Sequence, residues 1–146
     1  MTASRIRITA VALFIAAVGG ACGSGGDGGR LTGAKGTYAS KVDPICKELQ
    51  NKIGELGENP EQQAKDVEEA VGRMKSAEIP RDDEAIAKTF IAAMENLYLA
   101  LQDVDQSRRV NDQPRAQKAV ATAKFNSEAA AKAAKSYGMV ECAQTL

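Results

Sequence analysis

The chain has 146 residues, 44% of them apolar and 4% aromatic, and it carries 19 basic and 19 acidic side chains with no histidine. That length buries one core and little more, and a net charge of zero lacks the basic excess of a nucleic-acid-binding domain. Without histidine there is no Ser-His or Cys-His nucleophile pair, no commonest general base and no commonest transition-metal ligand, so neither an enzyme nor a cofactor protein is expected.

In chain order, Arg5 and Arg7 precede an apolar run from Ile8 to Val18, and then come Gly19, Gly20, Ala21 and Cys22. Charged start, apolar middle and small-residue end are the three parts of a bacterial export signal. The run has 11 residues, whereas a spanning helix needs about 20, so residues 1–21 read as a removed signal peptide. The small residues before Cys22 resemble a lipobox, in which Cys22 receives a diacylglyceryl group and becomes the first mature residue. Gly19 stands where a lipobox usually has Leu. The alternative is an ordinary secretory signal cleaved near Ala21, which leaves Cys22 as a free thiol. A signal end, a cysteine and a glycine-rich stretch follow one another in the order a tethered lipoprotein needs, which favours the lipid. Two acyl chains, such as palmitate, suffice for stable anchoring where one is marginal.

Residues 22–37 read as the lipidated cysteine and a disordered linker, since seven of the fourteen positions from 23 to 36 are glycine. A linker of that length spans roughly 20 Å. Gly23, Gly25 and Gly28 satisfy the dinucleotide pattern G-x-G-x-x-G, but that pattern has meaning only between a strand and a helix.

Residues 38–146 read as four amphipathic helices. The first carries Val42, Ile45, Leu49, Ile53 and Leu56 at helical spacing, and starts near Ser40 or at Asp43 with Pro44 in the first helical position. Asn59-Pro60 opens the second, whose stripe is Ala64, Val67, Val71 and Met74, and Ile79-Pro80 stops it. Asp82, Asp83 and Glu84 favour the start of the third, with Ile86, Phe90, Ala93, Leu97, Leu101 and Val104 along one face. The fourth opens near Asp112 with Pro114 in its first turn, carries Ala116, Val120, Ala123, Ser127, Ala130, Ala134 and Tyr137, and ends at Gly138. No window alternates with period two, so an all-α fold without a sheet is expected. An antiparallel up-down four-helix bundle buries these stripes best.

If Cys22 carries lipid, Cys46 and Cys142 remain as a pair on the exported side, where disulfides persist. An even number of up-down helices returns the chain to the end where it began, so four helices and a Cys46–Cys142 bond support each other. Zinc needs clustered ligands and a redox pair needs C-x-x-C, and neither pattern is present.

Asp103, Asp105 and Ser107 imitate the start of a calcium loop, but its sixth and twelfth positions hold Arg108 and Pro114. They read instead as the solvated end of the third helix. Glu68-Glu69 and Asp82-Asp83-Glu84 have surface readings as well, and no catalytic or metal-binding residue is assigned. From Glu55 to Glu84 there are ten acidic and four basic residues, and from Arg108 to Lys135 seven basic and two acidic. Complementarity between an acidic second and a basic fourth helix accounts for this. The functional alternative is a basic strip facing anionic lipid headgroups or a wall polymer. Nine alanines in the fourth helix permit either close packing or an apolar pocket.

Val42-Asp43-Pro44-Ile45-Cys46, Ile79-Pro80 and Tyr137-Gly138 ahead of Cys142 resemble a group of small actinobacterial secreted lipoproteins with an Asp-x-Ile-Cys start and a Tyr-Gly…Cys ending. The resemblance spans residues 38–142. It implies a helical domain closed by Cys46 and Cys142 and no catalytic residue. The expected function is a binding or interaction module, lipid-anchored through Cys22 at the outer face of the cell membrane. The alternative is a carrier of a small apolar ligand in a cavity lined by the fourth helix.

Overall fold

A computed structural model describes residues 33–146, with side chains from residue 36. The expected signal peptide, Cys22 and its glycine motif lie outside the described residues. Four helices follow one another: α1 (Gly33–Ile53), α2 (Pro60–Ser76), α3 (Glu84–Arg109) and α4 (Gln113–Tyr137), with a single 3-10 turn at Arg81–Asp83 ahead of α3. Among the described residues there is no strand. The most extensive packing joins α3 to α4, followed by α2 to α3 and α1 to α2.

α1 starts at Gly33 rather than near Ser40 or at Asp43, so Pro44 lies inside the helix and not in its first turn. The reason is burial upstream of the proline. Tyr38 and Val42 are fully enclosed and Ala39 nearly so, and this apolar face outweighs the amide that Pro44 cannot donate. Residues 33–37, which composition assigns to the linker, are accordingly helical. Asp43 is freed from capping its own helix, and its carboxylate reaches across the molecule.

The remaining boundaries follow local chemistry. The Asn59 side chain accepts from the Gln62 amide at 3.4 Å and Pro60 stands at the first helical position, while the Asp112 carboxylate accepts from the Arg115 amide at 3.1 Å. Gly138 closes α4 with φ 92°, a left-handed conformation that costs any other residue. Asp83, expected to favour the start of α3, occupies the cap position without a side-chain cap bond.

The four stripes meet in one core built around Phe90, Met94, Leu97, Leu101, Val42, Val67 and Met74. All the expected stripe residues are buried except Ile86 and Val120, which are half-buried. The Tyr38 and Tyr137 rings pack edge to face, with centroids 5.4 Å apart. Burial pushes the Tyr137 phenol up to about 12, with Asp83 and Tyr38 adding to the effect. Ser107 is fully buried; it turns toward the core rather than ending α3 in solvent.

Candidate functional site

Cys46 of α1 and Cys142 beyond α4 are joined, with Cα atoms 5.1 Å apart and a sequence separation of 96. The disulfide is one of several ties on the segment that follows Gly138. Asp43 accepts from the Val140 amide at 3.0 Å and from the Cys142 amide at 3.2 Å. Gln50 donates to the Glu141 carbonyl at 2.7 Å, and the Leu146 amide donates to the Ser127 hydroxyl at 2.9 Å. Thus Asp43, three positions before Cys46, neutralises two backbone donors beside the bond. The Asp-x-x-Cys spacing carries this arrangement, although from sequence alone Asp43 reads as a helix cap.

A second buried amide holds the turn between α1 and α2. Gln63 is 2% exposed; its Nε2 donates to the carbonyls of Ile53 and Glu55 and its Oε1 accepts from the Gly57 amide, each at 2.7 Å. Gly57 has φ 86°, and a β-carbon there would come within 3.2 Å of Val120. The sequence did carry a signal for Gln63, which falls at helical spacing with Val67, Ala70 and Met74 on a buried face.

Between the ends of the bundle, α2 and α3 leave an open groove of about 400 Å3 along Ala64, Glu68, Tyr98 and Gln102. A further space of about 250 Å3 continues it along Val71, Gly72 and Glu95, sharing Glu68 and Tyr98. Tyr98 is half-buried in the middle. Its hydroxyl accepts from Gln102 Nε2 at 2.6 Å and donates to Glu68 Oε1 at 3.3 Å. Partial burial, with the Glu68 charge beside it, pushes the Tyr98 phenol up. The walls carry charge of both signs: Lys65 pairs with Glu61 at 2.8 Å, Lys75 with Glu95, and Arg109 with Glu61 at 2.8 Å. An amphipathic ring flanked by polar groups presents apolar surface together with hydrogen-bonding capacity.

Against the alanine face of α4, by contrast, the space beside Phe90, Met94, Ala130 and Ala131 measures about 10 Å3, the volume of about one water.

The charge pattern resolves differently from the expected complementarity of α2 and α4. The acidic groups of α2 are answered by α1 and α3, through Lys52 to Glu69 at 4.0 Å and Arg109 to Glu61 at 2.8 Å. Among the described residues no ion pair joins α2 to α4, and Arg115, bonded to Asp103 at 2.6 Å, is the one basic group of α4 that is paired. Also among the described residues, no cluster of three or more carboxylates, cysteines and histidines is arranged to hold a metal, and no helix is long and apolar enough to cross a membrane.

No protein-family model matches this chain, and comparison with curated proteins and with solved structures finds none similar to it.

Proposed function

We propose that the protein is an extracytoplasmic lipoprotein, anchored to the outer face of the cell membrane through Cys22, and that its helical domain is a binding module rather than an enzyme. The observation that carries the proposal is the succession of Arg5, Arg7, an apolar run too short to span and Gly19-Gly20-Ala21-Cys22. The Cys46–Cys142 bond supports it, because such bonds persist in oxidising compartments.

The bundle itself is proposed to run up and down. Residue numbers in the cross-helix pairs move in opposite directions, Glu48 with Arg73 but Lys52 with Glu69, then Glu61 with Arg109 but Lys75 with Glu95. That order supports antiparallel neighbours. The binding surface proposed is the groove beside Tyr98, whose volume and lining give an extended polar partner room, ring surface and hydrogen-bonding groups. A carrier of a small apolar ligand at α4 requires the crevice beside Phe90 and Met94 to open, and titration with an apolar dye separates that reading from this one.

Mass spectrometry of the protein purified from its own cells tests the anchor: the expected N-terminal peptide starts at Cys22 and bears a diacylglyceryl group. An unmodified chain starting beyond Cys22 would sink the proposal. Photo-crosslinking from position 102 in intact cells tests the groove, with a discrete adduct expected that Tyr98→Ala weakens roughly tenfold or more, as truncation of a central aromatic anchor does.

A further inference from the structure

We infer that the outer face of α4 is a docking surface for an anionic lipid bilayer, with Phe125 inserted at the headgroup level. Lys118, Phe125 and Lys132 recur at seven-residue spacing, two helical turns apart, and therefore share one face. All three are exposed, and Phe125 keeps 68% of its surface in solvent. Lys124 and Lys135 flank them, also exposed. None of these four lysines forms an ion pair among the described residues; Lys41 and Lys47 of α1 form none either, but on α4 the lysines surround an exposed aromatic ring and outnumber the one exposed carboxylate of that face, Glu128.

Two features select a bilayer over a dissolved polyanion. An aromatic ring left largely in water between two unpaired lysines gains little from a hydrated phosphate polymer. It gains from an interface where the ammonium groups meet headgroups and the ring enters the acyl boundary. The second feature is reach. Ten residues separate Cys22 from the start of α1, a reach of at most about 35 Å in any conformation, so a lipid on Cys22 keeps the domain close to the membrane. The inference rests on the lipoprotein reading for that proximity, while the surface itself acts without the lipid. The acidic groups of α2 are paired with α1 and α3 and none with α4 among the described residues, and the Tyr98 groove is lined by α2 and α3 and not by α4, so a bilayer on the face of α4 does not use the groove's own residues.

The test uses the full chain carrying Cys22→Ser, which removes the lipid, with vesicles of phosphatidylglycerol and phosphatidylcholine or of phosphatidylcholine alone. The chain contains no tryptophan, so Phe125→Trp introduces a single reporter. A blue shift of its emission is expected on the anionic vesicles and none on the neutral ones, with no shift from Glu69→Trp on α2. Lys118→Glu/Lys132→Glu is expected to weaken vesicle binding roughly tenfold or more, each lysine near an anionic surface contributing about fivefold. Phe125→Ser is expected to weaken it roughly threefold to tenfold. Both variants change exposed positions, so unaltered helix content by circular dichroism accompanies the loss. No shift at position 125 on anionic vesicles, or an equal shift at position 69, overturns the inference. So does binding that depends on the lysines but not on Phe125 and that soluble polyphosphate abolishes, which marks a polyanion site. Because the vesicle experiment needs no lipid on Cys22, its failure is distinct from failure of the anchor, which the mass of the native N-terminal peptide reads.

Discussion

Gln63 places one carboxamide among three backbone groups, two carbonyls and an amide, in a setting closed to water. The groups it serves belong to the turn that reverses the chain between α1 and α2, where the backbone at Gly54 and Gly57 adopts positive φ and forms no regular ladder. Gln63→Ala leaves those partners buried and unanswered, for an expected loss of about 3 kcal/mol in urea unfolding. Gln63→Glu is expected to do worse at neutral pH, because a carboxylate faces two carbonyl oxygens, and to recover part of the loss in acid once the carboxyl can donate again. A surface group gives the opposite titration. Lys52 and then Arg73 hold the Glu48 carboxyl at about 2, below its ordinary 4.5. Its folded value is the lower one, so its contribution is whole above about pH 4.5 and fades as pH falls toward 2. In a carbon-detected NMR titration the Glu48 midpoint is expected at about 2, and Arg73→Gln should raise it. A Glu48 midpoint unchanged by Arg73→Gln would assign the whole shift to Lys52.

At the scale of elements, the stripes of all four helices were legible because each is a plain 3.6-residue repeat and the packing follows it. So were the Asn59 and Asp112 caps and the Gly138 stop, each fixed by chemistry within three residues of it. The start of α1 was not, for a physical reason: Asp43-Pro44 satisfies the local rule for a helix start, and the burial of Tyr38 and Val42 that overrides it depends on elements far along the chain. The same distance hid the job of Asp43, whose partners lie 97 and 99 positions away. The Tyr98 groove was illegible too, since its volume lies between α2 and α3 and belongs to no motif in either. An interior proline held against its preference makes a prediction. Pro44 is exposed and packs little, so Pro44→Ala restores a helical amide at small packing cost and is expected to stabilise the protein by about 1 to 3 kcal/mol, the loosened unfolded chain taking back part of the gain. An unchanged denaturation midpoint would mean that α1 already accommodates the ring at its Ser40 carbonyl without strain.

For the whole molecule, the ends are closed twice, once covalently at Cys46–Cys142 and once by the Asp43, Gln50 and Ser127 hydrogen bonds. Four helices, taken with an up-down course, place Cys46 and Cys142 at one end, so the pairing now found was readable from sequence, whereas the hydrogen-bonded closure, built from partners far apart in the chain, was not. The two closures act on different states. The hydrogen bonds exist only in the folded chain, whereas the disulfide also restricts the unfolded one, across a loop spanning 96 positions. In the chain-entropy account that restriction contributes about 4 to 5 kcal/mol. The double variant Cys46→Ala/Cys142→Ala is therefore expected to keep its helix content, because the stripes and the Asp43 clamp are intact. It should lose about 4 to 5 kcal/mol in urea unfolding and show a steeper dependence on urea, since its unfolded chain exposes more surface. Asp43→Asn, which leaves one oxygen for two amides, separates the contributions: it should cost about 1 to 2 kcal/mol with the slope unchanged. If instead the double cysteine variant loses under about 1 kcal/mol at constant slope, the unfolded chain is already compact with the bond present or absent. The closure then resides in the carboxylate of Asp43 and not in the sulfur bridge beside it.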